Sequence, residues 1–198
     1  MGLAGAGSTL PSERPGAQPC VAGTVIVFHR GVLEAQLGAD TFAHVLGQLD
    51  PDERREIADA LPVSWVLHST FDRLYRAVAL VTGRDAIAVY TENVRHGVEH
   101  RVRRLWRILL RLSDVQALVA RSKMIYEKSY SAGRMIVETV GGGRALIRVT
   151  EWPGIPELAM VGVSIGTETL LGLAGVKKAV VVAEKQPDGA VFRVTWDE

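Results

Sequence analysis

Two turn signals bracket a single helical segment in the last third of this chain, and that arrangement restricts the fold more than any other feature. Gly141-Gly142-Gly143 separates the strand-forming runs 134–140 and 144–151, and Pro187-Asp188-Gly189 separates 178–184 from 190–196. Short β-rich runs joined by glycine-containing turns read as hairpins. In 144–151, Ala145, Ile147 and Val149 alternate with Arg144, Leu146 and Arg148, while Phe192, Val194 and Trp196 share one face of the final run. Each strand thus has one face to bury. Between the hairpins, Pro156 opens a helix that closes at Gly175.

Upstream the period changes. Val94, Val98, Val102, Leu105, Leu109 and Leu112 recur every three or four residues and form one apolar stripe on a helix over 92–112. Asp50-Pro51-Asp52-Glu53 carries an N-terminal cap, a proline at the first helical position and a glutamate at the third. That helix is expected to run to Leu61-Pro62. Asp40 is read as the cap of a helix over 41–49, and residues 31–37 as a further short helix. Ser69 or Thr70 is read as starting a helix to Thr82, stopped by Gly83. Ser113-Asp114-Val115-Gln116 is read as restarting one that reaches Tyr130. The β-branched run Thr24-Val25-Ile26-Val27-Phe28 reads as an edge strand or extended segment, and 63–68 as an extended linker. The order predicts an α+β fold, an N-terminal helical layer packed on a C-terminal antiparallel sheet of hairpin, helix, hairpin. Residues 1–20, rich in Gly, Ala, Ser and Pro, read as a disordered tail. Residues 21–198 read as a single ligand-binding-like domain, a size at which a sizeable core is affordable.

Composition excludes several chemistries. Cys20 is the one cysteine among 198 residues, which rules out an internal disulfide or a thiolate metal cluster within one chain and suits a reducing, cytoplasmic setting. The most apolar stretch, 158–176, is interrupted by Glu168 and dotted with glycine, so it reads as a buried helix and not a membrane span.

Gly162-Val163-Ser164-Ile165-Gly166 matches the nucleophile-elbow pattern, but it lies within a predicted helix. All five histidines (29, 44, 68, 96 and 100) precede the serine, whereas the elbow architecture places its base after it. The two glycines are read as letting this helix approach the sheet. His96 and His100 are four apart, a spacing able to hold one ion, yet they fall on the arginine face of their helix. His29, His44 and His68 are read as surface or capping residues. Six arginines between positions 95 and 111 oppose Glu92 and Glu99. Arg103, Arg104, Arg107 and Arg111 could neutralise phosphates, but the near-neutral chain lacks a nucleic-acid-reading motif. Nucleic-acid binding is therefore a less favoured reading. The remaining candidates are apolar. Trp65, Tyr126, Tyr130, Met135 and Trp152 could line a ligand pocket, with Ser129, Ser131 and Arg134 at its rim.

Residues 23–196 resemble a myxobacterial paralogous family of uncharacterised proteins. The resemblance is carried by Gly23-Thr24-Val25, Leu61-Pro62-Val63-Ser64-Trp65, Ile125-Tyr126 with Gly133, Val181-Val182-Ala183-Glu184 and Phe192-Arg193-Val194-Thr195-Trp196. That family is similar to the 4-vinyl-reductase-like and haem–nitric-oxide-binding domains, which share a fold with TRAPP subunits. The resemblance implies a sensory or adaptor domain without enzymatic activity, binding a small apolar ligand or a protein partner and often dimeric. A structural homodimerisation or scaffold module is the alternative. No cofactor is expected. The zinc-binding relatives use cysteines near the last hairpin, absent here. The haem relatives use a Tyr-x-Ser-x-Arg signature that Tyr130-Ser131-Ala132-Gly133-Arg134 does not keep, and a helical histidine for which no apolar-face candidate is read here.

Overall fold

The computed structural model describes residues 18–105, 115–139 and 142–197, with the side chains of 100–105, 115–118, 120 and 139 outside the description. The expected tail, residues 1–17 of it, lies outside the described residues, as do the arginine-rich end of the long helix and the Ser113-Asp114 cap. Cys20, at the end of that expected tail, is a buried strand residue.

A two-stranded ribbon opens the fold. β1 (Cys20–Ala22) pairs antiparallel with β2 (Trp65–Leu67), in the register Cys20↔Leu67 to Ala22↔Trp65. The β-branched run that follows is helical, contrary to its local propensity: α1 spans Gly23–Leu37. Tertiary packing overrides the β preference here, because Ile26, His29 and Leu33 fall at helical spacing and are all buried. Gly23 makes the tight entry possible. Its amide donates to the Ser64 carbonyl at 2.7 Å, and a side chain there would collide with the Leu61 carbonyl.

After Gly38 (φ 81°) comes α2 (Ala39–Gly47), with Asp40 inside its first turn rather than capping it. α3 (Pro51–Ala58) begins with the expected capping box, the Asp50 amide donating to Glu53 Oε2 at 3.3 Å, and ends three residues before Leu61. α4 (His68–Thr82) starts one or two residues earlier than its local hydroxyls suggest. At its start Glu56 of α3 accepts the Leu67 amide (2.8 Å) and the Thr70 hydroxyl (2.6 Å), and the Pro19 carbonyl accepts the His68 amide (2.9 Å). Gly83 stops it in the left-handed region, φ 69°. α5 (Ala86–Leu105) begins six residues before Glu92, where Asp85 accepts the Ala88 amide at 2.8 Å. α6 spans Val115–Ser129.

The C-terminal part follows the predicted pattern. β3 (Arg134–Thr139), β4 (Arg144–Thr150), β5 (Lys177–Gln186) and β6 (Gly189–Asp197) form one antiparallel sheet in the order β3-β4-β6-β5. Met135, Ala145, Ile147, Val149, Val181, Phe192 and Val194 form its buried face. α7 (Glu157–Leu173) packs against β5 and against α5. The molecule is thus an α+β fold, helices on one antiparallel sheet. Among the described residues, no helix is long and apolar enough to cross a membrane.

Candidate functional site: a cavity between α1, α5, α6 and α7

Between these four helices and the start of β3 the packing opens into a cavity of ≈330 Å³. Missing side chains leave the space. Gly162 and Gly166 both turn their bare backbone to it from α7, and around Gly166 an added methyl group would find no atom within 4 Å. Gly97 gives α5 the same bare surface, against which the Phe28 ring packs so closely that a Cβ would lie 2.6 Å from it. The glycine pair read as fitting α7 to the sheet therefore faces the other way, toward α5 and α6. Val25, Val94, Val98, Ile125, Val163 and Leu170 supply much of the remaining wall, so it is predominantly apolar.

The polar groups of the wall come mainly from α5 and α6. Tyr130 directly follows α6, and its position is fixed by the ribbon: Val21 bridges to Tyr130, the Cys20 amide donates to Ser131 Oγ at 2.8 Å, and the Ser131 amide donates to the Cys20 carbonyl at 3.0 Å. The Tyr130 and Tyr90 hydroxyls lie close together. Both stand over Gly162, where a Cβ would lie 2.7 and 2.6 Å from them. Burial holds both phenols in the neutral form. Tyr130 is pushed up to about 12, against a smaller downward pull from the Tyr90 hydroxyl and with a further rise from the Asp72 carboxylate; Tyr90 is pushed well above the usual phenol value. Tyr126 is raised as well, by burial first and by Tyr130 second.

His29 reaches the cavity from α1 and is 4% exposed. Its Nδ1 lies 2.5 Å from the Tyr75 hydroxyl, and the Asn93 side-chain amide donates to that hydroxyl at 3.1 Å. The imidazole ring stacks on Tyr90 at 5.4 Å and lies edge-on to Phe28, Phe71 and Tyr75. His29 and His68, at 4% and 1% exposure, are thus core residues, not the surface or capping positions expected, and His29 occupies the apolar helix face where no histidine was read. His68 stacks on Tyr130 at 6.1 Å and sits 3.4 Å from Asp72.

Of the five expected pocket residues, Tyr126, Tyr130 and Met135 line the cavity. The Tyr126 hydroxyl donates to the Ala132 carbonyl at 2.7 Å, which makes this ring a fixed wall, and the Met135 sulfur lies 3.8 Å from the Ser122 hydroxyl. Trp65 is half-buried in β2 and does not line it. Trp152 is buried one ring away, 5.6 Å from Tyr130, and does not line it either. Of the expected rim, Ser129 is present, Ser131 is spent on the ribbon and Arg134 is exposed on β3; the arginine at the wall is Arg121. Sequence reasoning misses His29, Tyr90, Arg121 and Thr167. A helical reading of 23–37 would find His29, three residues from Ile26 and four from Leu33.

Ser164 is buried within α7 and is not part of the cavity wall. Among the described residues no histidine hydrogen-bonds to it. His96 is exposed and packs against Phe28 at 6.4 Å; the side chain of His100, like the guanidinium groups of Arg103, Arg104, Arg107 and Arg111, lies outside the described residues. No group of three or more His, Cys, Asp or Glu able to hold a metal ion is found among the described residues.

No family model matches the chain, and no curated protein matches it in sequence. Solved structures do match in fold. The Fe(II) unliganded H-NOX protein from K. algicida superposes with a TM-score of 0.67 at 13% identity, over 89% of this chain and 97% of that one. An H-NOX protein from S. oneidensis in the Fe(II)NO ligation state gives 0.66 at 9% identity, over 89% and 99%. A Tt H-NOX variant gives 0.63 at 11% identity, over 89% and 95%. The chain therefore has the H-NOX fold.

Proposed function

We propose that this chain is a non-enzymatic sensory or adaptor domain that takes a small, mainly apolar molecule into the cavity between α1, α5, α6 and α7. The single observation that carries the reading is the cavity itself. Its ≈330 Å³ falls at the lower end of the range used for small-molecule sites, and its walls are mostly apolar with a few convergent hydroxyls. A hollow of this size costs stability through lost contacts, a cost that a bound molecule offsets. Signalling would follow from a difference in ligand affinity between two conformations. The finer family assignment, to the myxobacterial paralogous proteins and their 4-vinyl-reductase-like relatives, stands as part of the same proposal.

The neighbouring folds raise the question of haem, since they include Fe(II) proteins and studies of haem distortion in the H-NOX family. The residues present here do not fit that group. Where α5 meets the cavity it presents Tyr90, Val94, Gly97 and Val98, and the one donor among them, the Tyr90 phenol, is held in its neutral form by burial. Among the described side chains, the one imidazole at the wall is His29. Its Nδ1 is engaged with the Tyr75 hydroxyl, and its ring is stacked on Tyr90 and edge-on to Phe28, Phe71 and Tyr75, so it is packed as part of the aromatic core. Arg121 is the only cation among the described wall residues, a thin complement for two carboxylates. A haem-free ligand site is the reading these contacts support.

Native mass spectrometry of protein recovered from its source under gentle conditions tests the proposal. The expected result is a bound small-molecule mass that disappears in Gly166→Leu, whose side chain would occupy the hollow. Only the bare protein mass, with no shift on exposure to small apolar compounds, would overturn it. Addition of haemin should produce no ligated Soret spectrum.

A further inference from the structure

α6 turns two edges to the cavity, and they differ in exposure. Ser122 and Tyr126, four apart, are buried, and both hydroxyls are spent on backbone, donating to the Val119 carbonyl at 2.5 Å and the Ala132 carbonyl at 2.7 Å. Arg121, Ile125 and Ser129, also four apart, line the same cavity from the other edge. There Ile125 is 51% exposed, and Arg121 and Ser129 are half-buried. Met124, beside them on the wall, is 43% exposed. Residues that line a hollow and also meet solvent mark its mouth, so the cavity opens along this edge of α6. The Ser129 hydroxyl is committed to the Ile125 carbonyl at 2.8 Å, which leaves Arg121 as the polar side chain that gives this mouth its character.

That character is positive. None of the described wall residues is acidic, and Arg121 is the cation among them. The residue has an interaction of its own. A guanidinium, however, carries five N–H donors in a planar fork, more than a single partner takes up. Its Nη1 is buried and makes no hydrogen bond among the described residues. Hydrogen bonds to charged groups are the stronger ones, and a carboxylate is the acceptor whose shape matches the fork. A negative charge deep among Val94, Val163 and Leu170 would be costly. At a mouth that meets water, beside an arginine, that cost falls. A cationic head would meet the same arginine as a like charge. We infer that the occupant is a monoanionic amphiphile, whose apolar body fills the hollow and whose single carboxylate is held at the mouth by Arg121. This inference rests on the cavity reading above and names the class of molecule the cavity takes.

Three probes of one chain length separate the inference from the reading beneath it. Octanoate and octanamide have head groups of the same shape and differ in charge, 1-octene has no polar head, and calorimetry on the full chain measures each. Wild-type protein should bind octanoate at least about tenfold more tightly than octanamide, the lower end for a hydrogen bond to a charged group. Arg121→Gln should weaken octanoate about tenfold and so remove that preference, with octanamide and 1-octene within about twofold. Arg121→Lys, which keeps the charge but not the fork, should retain part of it. Unchanged 1-octene binding also shows that the variants still fold around the hollow. The inference is overturned if wild type binds octanamide as tightly as octanoate, if it binds 1-octene alone, or if Arg121→Gln weakens all three probes alike or none of them; in each of these cases the cavity reading stands. If wild type binds none of the three, the cavity reading itself fails, and this inference fails with it.

Discussion

The helical layer has a solid half and a hollow half, and the two are built from similar residue types. Where α4 meets α1 and α5, the rings of His29, Phe71, Tyr75 and Tyr90 lie 5.0–5.8 Å apart in edge-on and stacked contacts, and Leu74 and Val78 are fully buried beside them. Where α7 meets α5 and α6, three glycines and short aliphatic side chains leave ≈330 Å³ unfilled. Both halves bury apolar surface and both satisfy the helical period. What separates them is side-chain volume at a handful of positions, and that is what divides a packing core from a binding site.

The comparison can be pressed with the same truncation in each half. Leu74→Ala, in the solid half, should cost about 4 kcal/mol, since close neighbours on every side cannot collapse into the gap. Leu170→Ala, on the cavity wall, should cost about 2 kcal/mol, because part of its surface already faces empty space. Urea unfolding with an unchanged denaturant slope checks both. Equal losses would mean that the hollow is filled in solution.

All four tyrosines are buried, and Tyr75, Tyr90, Tyr126 and Tyr130 are all raised mainly by burial. Between the ordinary phenol value of about 10 and the folded value of about 12 for Tyr130, the unfolded chain releases protons that the folded chain keeps. Stability should therefore be intact below pH 10 and fall as pH rises above it. Phenolate absorbance should appear together with unfolding, not before it. A free phenolate titrating at its ordinary value in the folded protein would show that the rings are solvated.

The two glycines of α7 give a smaller, signed contrast. Gly162→Ala should destabilise by about 1–3 kcal/mol, as its methyl group meets the Tyr90 and Tyr130 hydroxyls. Gly166→Ala, with open space around it in a helix interior, should stabilise by about 0.5–1 kcal/mol. Thermal unfolding of the two variants distinguishes them, and a shared sign would contradict the placement of α7.

Much of the fold is legible in the residues themselves. The hairpins show in their turn glycines and a period of two, α3 in its capping box, and α7 in Pro156 and Gly175. The N-terminal run misleads because Thr24 to Phe28 prefers strand locally, and only packing of Ile26, His29 and Leu33 against distant elements makes it a helix. The start of α4 is hidden for a related reason: its N-cap is Leu67, and the carboxylate that accepts the Leu67 amide, Glu56, comes from another helix. The site is half legible. Tyr126, Tyr130 and Met135 sit where strand and helix ends converge, a pattern visible in sequence order. Trp65 and Trp152 share that pattern but pack elsewhere, because aromatic character specifies burial and not which surface is buried against. His29, Tyr90 and Thr167 join the wall only through the crossing of α1, α5 and α7, which no local signal encodes.

The claim on which the account turns is that the space between α5, α6 and α7 is an open, apolar receptacle. Diffraction from crystals pressurised with xenon tests it most directly, since that atom enters dry apolar hollows without needing a polar partner. The account predicts xenon density bounded by Val94, Val98, Val163 and Leu170. Absence of xenon there, with side chains closed over Gly166, would contradict it.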